Sequence, residues 1–370
     1  VASVALALSV VTFALMAVVT SRPQAAGANG RPNGVDRPTM TPTPAPRLVL
    51  PKLPTHVGTI AAPPTGHFLW GVYVPGAPYE LSRLVETQRF VASTPGILMW
   101  YQSWQDWPLF PVAEARRVLA RGILPMLTWQ PRHRVGDPVT ITLQDIAEGR
   151  YDDYLRDYAR SVARYGGPLF LRFMHEMDGN WYPWSAYSRG NTPELWVRVW
   201  RHVHDIFGEE GATNVTWVWS VNHHSVPKAP GNRIENFWPG SDYVDWIGMS
   251  GFNPGPARVP FRWESFDRVN RGRYLQLQRY GKPIVVCETG SPEIGGNKAQ
   301  WLRSMFHSIR TDYPMLAGLI WFNDFDPKFP DRDDWRVNSS TSALAAFRAG
   351  VHHSNVVSVP AGFHLVQSVR

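Results

Sequence analysis

Only one cysteine, Cys287, occurs in this chain of 370 residues. A disulfide framework is therefore excluded, and stability has to come from a packed core. Blocks of like charge are missing as well: the net charge of +7 rests on arginines scattered along the sequence, and without a basic face or stripe there is no case for nucleic-acid binding. Spacing suited to a metal is equally scarce. His202 and His204, two apart on a helical segment, diverge by about 200°, and neither His223-His224 nor His352-His353 turns both rings readily onto one ion. No metal and no cofactor are expected.

What the chain has in quantity is apolar and aromatic surface: 44% of it is hydrophobic and 17 residues are tryptophan, enough for one large domain or two small ones. Residues 1–20 are almost wholly apolar and match a secretory h-region or a marginal membrane span. No initiator Met and no basic n-region precede them, so the natural protein is expected to begin earlier. Gln24-Ala25-Ala26-Gly27 is the nearest approach to a cleavage site. Export is the expectation, with the product secreted or tethered through residues 1–20. Residues 21–66, rich in Pro, Thr, Ala and Gly, cannot bury a core and read as an extended linker or stalk. A catalytic domain is expected over 67–348 and a tail over 349–370.

Eight short apolar runs recur after the linker, at 67–74, 97–104, 124–130, 169–175, 215–222, 244–253, 284–288 and 316–324. Helical patterns lie between them, clearest at 111–121, 151–165, 192–207, 263–280 and 298–311. Thr192-Pro193-Glu194 offers an N-cap, a first-turn proline and a first-turn acid. Gly122, Gly166, Gly208 and Gly281 read as helix terminators. Strand and helix alternating eight times over roughly 280 residues predicts a (β/α)8 TIM barrel, whose site lies at the C-terminal ends of the strands. Polar residues fall there: Gln130, Glu176, Asn222, Asn253, Glu288, Asn323 and Asp324.

The most informative stretch is LFLRFMHEMDGNWYPW, from Leu169 to Trp184. It ends an apolar run in Glu176 set among aromatic rings. Strand parity puts Arg172, Met174 and Glu176 on one face, where Arg172 and Glu176 form either a structural ion pair or part of a site. Trp181, Tyr182 and Trp184 make a poor surface turn but a good platform for the face of a sugar. The same parity aims Glu288 inward with Ile284 and Val286 and turns Cys287, a structural thiol, toward the helices. Trp217 and Trp219 are both expected to face inward, Trp219 near the mouth. Gln130 and Asn222 either bind hydroxyls or cap strand ends.

These residues resemble the retaining glycoside hydrolases of clan A, and most closely glycoside hydrolase family 26, known for β-mannanases and for enzymes of mixed-linkage β-glucan and β-1,3-xylan. The resemblance spans about 68–347 and is carried by RFMHEMDGNWYPW, DYVDWIGMSGFN, KPIVVCETGS, LIWFNDFD and the later WRVNSS. It implies Glu176 as acid/base, Glu288 as nucleophile, Arg172 and His175 as polar neighbours of the sugar, and Trp181 and Trp321 as aromatic platforms. Trp219, Asn222 and Phe252 complete the expected substrate contacts. One position departs from the pattern: the family commonly has a tyrosine, hydrogen-bonded to the nucleophile, where this chain has Phe252. The implied activity is retaining, endo-acting hydrolysis of β-linked polysaccharide by a monomer, with a β-1,4-mannan-like substrate favoured over mixed-linkage β-glucan, β-xylan or an exopolysaccharide of the producing cell. Retention needs two carboxyl groups ~5–5.5 Å apart in different protonation states. Arg172 should keep Glu288 ionised, and Trp181 with that negative charge should keep Glu176 protonated. A non-catalytic carbohydrate-binding barrel is the alternative class.

Overall fold

A computed structural model describes residues 58–359 apart from 106–107, 134–140, 257, 259 and 329–333. The apolar run 1–20 and most of the Pro-rich segment lie outside these residues. Eight strands, β1 (Leu69–Tyr73), β2 (Ile97–Ser103), β3 (Leu124–Gln130), β4 (Leu169–Phe173), β5 (Val215–Asn222), β6 (Trp246–Ser250), β7 (Ile284–Thr289) and β8 (Leu316–Phe322), pair in sequence order. They are all parallel and β8 closes on β1, making the expected (β/α)8 barrel.

The helices between them are α1 (Ser82–Val91), α2 (Val112–Leu119), α3 (Leu143–Ala147), α4 (Asp152–Tyr165), α5 (Pro193–Glu209), α6 (Phe266–Leu277), α7 (Lys298–Asp312) and α8 (Thr341–Val351). Thr192 caps α5 as its side chain predicts, accepting from the amide of Leu195. Gly166 ends α4 in the left-handed conformation, with φ 68°. Gly208 does not stop α5; the helix runs one residue past it, and Gly211, at φ 74°, makes the turn.

The core has two layers. Inside the barrel pack Met99, Met126, Phe170, Val218, Val285 and Ile320, while between barrel and helices pack Trp70, Trp129, Phe173, Trp200, Trp217 and Trp219. Burying each such side chain is worth about 1.5–3 kcal/mol. The ends of this domain are not where composition put them. Ile60, assigned to the linker, is buried in the interior cluster; its amide donates to Thr216 and its carbonyl accepts from the Trp246 indole. The expected tail starts inside α8, and beyond that helix Val356 bridges to Phe68 while Val357 and Val359 pack on the interior cluster.

Strand parity misleads at two places, and both bear on the site. In β7, Met249 of β6 pairs with Val286 but Ser250 pairs with Glu288, so one extra residue is accommodated between them. Such a bulge re-aims the side chains beyond it. Val285 and Cys287 pack inside the barrel and Ile284 and Val286 face the helices, the opposite phase to that expected, and the extra residue lets Glu288 still reach the mouth. In β4 the strand stops at Phe173, and Met174 and Glu176 take φ of 43° and 54°. Met174 therefore packs in the outer layer and does not share a face with Arg172. β5 simply has the opposite phase to that expected: Thr216, Val218 and Ser220 look inward, while Trp217 packs on α5 through Trp200 and Phe207.

Candidate active site

Arg172 is the hub of the barrel mouth. It is fully buried, and its planar fork is satisfied from four other strands: Nε donates to Ser220 of β5 at 2.9 Å, Nη1 to Thr128 of β3 at 3.4 Å and to Glu288 of β7, and Nη2 to Ser250 of β6 at 2.7 Å. Nη2 also lies 3.8 Å from Glu176. Burial alone would depress the guanidinium, but the Glu288 carboxylate together with Cys287, Tyr101 and Glu176 outweighs it and holds the pKa above its usual value. Removing either charge would leave the other buried without its partner, at a cost of about 3–5 kcal/mol.

Carboxylate oxygens of Glu176 and Glu288 and a ring nitrogen of His175 lie within 4.8 Å of one another. Glu176 follows the kink after β4, its amide donating to the Ser220 carbonyl at 2.8 Å. Its pKa is pushed up to about 7, first by burial and then by the negative charge of Glu288. Arg172 and hydrogen bonds from Ser250 and Trp181 oppose the rise without cancelling it. The Trp181 indole donates to Glu176 Oε2 at 3.0 Å. That ring lies over Gly179, where a Cβ would come within 2.6 Å of it, so the glycine in Asp178-Gly179-Asn180 serves close approach.

His175 is held neutral, its pKa driven well down by burial and by Arg172 and Arg132. Its Nε2 bonds the Tyr182 hydroxyl at 3.0 Å, and its carbonyl accepts from Trp184, on which Tyr182 stacks at 4.4 Å. His175, Glu176 and Glu288 have ligand-like spacing for a cation, but the Arg172 guanidinium on Glu288 opposes one electrostatically.

Two expected substrate contacts are core residues. Trp321 is buried on the helical side of β8, its indole bonded to the Trp335 carbonyl and its ring against Trp301 and Phe347. Trp219 is fully buried on the outer side of β5, bonded to the Phe237 carbonyl and packed on Trp238 and Tyr280. Neither offers a face to a sugar at the mouth. Asn222 has inward phase, but its side chain donates to the His224 carbonyl and meets the His223 ring. Asn253 and Asn323 likewise brace loops, Asn253 against Ser291 and Glu264 and Asn323 against Thr87 and Val337. Phe252 packs edge-on against Phe322 and Trp335.

Several participants carry little signal in the sequence. Ser220 and Ser250 orient Arg172, and Ser220 shares parity with Asn222, a usable clue. Asp178, which reads only as part of a turn, is fully buried; it accepts from Arg273, Ser225 and the Asn222 amide, tying the segment after Glu176 to β5 and α6. Tyr101 of β2 also stands at the mouth, its ring 6.2 Å from His175, and no local pattern announces it.

Residues 145–271 match the family model of Glycosyl hydrolase family 26. Endoglucanase H of Acetivibrio thermocellus is 38% identical over 244 residues, which are 65% of this chain and 25% of that protein. Beta-1,3-xylanase TXYA of a Vibrio species is 27% identical over 53% of this chain and 44% of the relative. The chain thus spans less than half the length of these relatives. Among solved structures, the catalytic domain of the Bacillus sp. JAMB-750 GH26 endo-beta-1,4-mannanase superposes with a TM-score of 0.61 at 17% identity, covering 79% of this chain and 88% of that one, a likeness of fold. The family match to glycoside hydrolase family 26 thus runs through β4, β5 and β6, and the two glutamates stand at the C-terminal ends of β4 and β7.

Proposed function

We propose that the barrel is a retaining, endo-acting hydrolase of β-linked polysaccharide, with Glu288 as nucleophile and Glu176 as acid/base. The observation that carries this reading is the pair of carboxylates within 4.8 Å of each other, one paired with Arg172 and the other pushed toward neutrality. A separation near ~5 Å leaves no room for a water between sugar and base and suits direct attack. Glu288 would attack the anomeric carbon as Glu176 gives its proton to the departing oxygen. Glu176 would then take a proton from the water that cleaves the glycosyl–enzyme bond. Trp181 supports Glu176 and offers its ring to the neighbouring sugar.

Similarity to a protein named endoglucanase makes β-glucan the first polymer to test, with mannan, the expectation from sequence, and β-1,3-xylan beside it. Release of reducing ends from that panel, with the anomer of the first product read by NMR, tests the proposal. Retained configuration is expected; inverted product would overturn the mechanism. Binding without cleavage would favour a carbohydrate-binding barrel. Polysaccharide is too large to cross a membrane, so the place of action is proposed to be outside the cytoplasm, on a foreign or a self-made polymer. Fractionation that found the full-length protein in the cytoplasm would contradict this.

Exchange of the two tryptophans separates stacking from packing. Trp181→Ala is expected to lower kcat/KM by the equivalent of about 1–3 kcal/mol while leaving the melting temperature nearly unchanged. Trp321→Ala should instead destabilise the fold by about 3–5 kcal/mol, measured by chemical denaturation.

A further inference from the structure

We infer that the buried Asp178–Arg273 pair is a positioning device for the acid/base, clamping the turn between Glu176 and Trp181 onto β5 and α6 so that the Glu176 carboxyl stays aimed at the departing oxygen. This rests on the role proposed for Glu176. Both side chains are enclosed, Asp178 at 0% exposure and Arg273 at 5%, so they act through the turn they hold and not on the sugar. Asp178 Oδ1 accepts from the Asn222 amide of β5 at 2.8 Å, and Oδ2 from Ser225 at 3.0 Å and from Arg273 Nη2 at 2.9 Å. Its carbonyl accepts from the Val226 amide and from Asn232 Nδ2, each at 2.8 Å. Arg273 in turn is aimed by Gln276, which accepts from Nη1 at 3.0 Å, and by Ser225, which accepts from Nη2 at 3.1 Å.

The turn needs such a clamp. Glu176 stands at φ 54°, a left-handed conformation that a residue with a side chain keeps only where its surroundings over-determine it. Its amide donates to the Ser220 carbonyl at 2.8 Å and its carbonyl accepts from the Gly179 amide at 3.0 Å. Gly179 belongs to the same turn, so the second bond moves with the turn and cannot anchor it. Asp178 does anchor it. Without that hold Glu176 could relax toward negative φ and part from the Trp181 indole, which donates to its Oε2 at 3.0 Å. Stability is a poor reason for the pair: burial pushes the Asp178 carboxyl up and the Arg273 guanidinium down, and a buried ion pair is often no better than apolar groups of equal volume. What the charge supplies is direction, since one carboxylate gathers donors from β5, from the loop after it and from α6 onto a single point.

Two aryl glycosides of the same glycan fill the same subsites and differ only in how much their leaving group needs a proton. Asp178→Asn keeps the size and loses the charge. It is expected to lower kcat/KM about 10- to 100-fold on the glycoside of a weakly acidic phenol, as a small misplacement of the acid would, and far less on that of a strongly acidic phenol. Arg273→Lys keeps the positive charge but not the fork that serves Asp178, Ser225 and Gln276 together. It should show the same selectivity at smaller size, and it decides the matter if Asp178→Asn does not fold. An equal fall on both glycosides would mean that the pair only stabilises the barrel and would overturn the inference, as would wild-type kcat/KM on the weakly acidic phenol. A wild-type chain inactive on every glycan overturns the functional reading itself, a result distinct from an active wild type whose variants lose both substrates alike.

Discussion

Glu288→Ala is expected to abolish turnover on every substrate, with kcat falling roughly 10⁴- to 10⁶-fold, because no other group can form the covalent intermediate. The variant should be less stable by about 3–5 kcal/mol and still fold, since Arg172 keeps its hydrogen bonds to Ser220, Ser250 and Thr128. The space left by the side chain is the size of a small anion and faces the guanidinium. Added azide should therefore attack an activated glycoside from the Glu288 side and give a glycosyl azide of inverted configuration. Inverted azide product from the Glu176 variant instead would exchange the two roles.

Glu176→Ala is expected to fail on polysaccharide, by about 10²- to 10⁴-fold in kcat/KM, and yet to react with an aryl glycoside whose leaving group needs no proton. The intermediate should then accumulate, and azide should release it with retained configuration, entering from the face where Glu176 activates water. The wild type should lose activity as pH rises through about 7, where Glu176 gives up its proton, and that alkaline limb should vanish in Glu176→Ala on the aryl substrate. Stability carries the same sign. A carboxyl whose folded pKa is raised contributes stability that is full below its ordinary pKa and is lost as pH climbs through the folded value. Glu176→Gln should accordingly stabilise the fold above pH ~7, on the order of 1–3 kcal/mol, and do little near pH ~4. Equal stability of the two proteins at every pH would show that Glu176 is not strained by burial.

How much of this is legible varies with how local the cause is. Runs 124–130 and 215–222 coincide with β3 and β5 residue for residue, because a parallel strand buried on both faces is an unbroken apolar run with polar or glycine ends. Nothing in the sequence singles out α1: Leu81 at its N-cap makes no side-chain cap bond, so the start carries no signal. Ile60 hides inside a Pro-rich composition, and only the barrel interior reveals that one apolar residue there has a socket. Trp321 and Trp219 mislead because an aromatic near a strand end looks the same whether it points to the mouth or to the helices.

The sequence by itself determined the barrel, the strand ends on which its two glutamates stand, and the aromatic segment after Glu176. All of these follow from hydrophobic period, helix caps and breakers acting over a few neighbouring residues. Tertiary structure alone decided where the side chains aim. The left-handed turn at Glu176 and the extra residue in β7 bring Glu176 and Glu288 to one point from strands whose simple alternation is broken beside each. It also decided the charge states, because burial and a partner 116 positions away along the chain set them. A pKa is a property of an assembled environment, and no stretch of residues carries that environment until the barrel has closed.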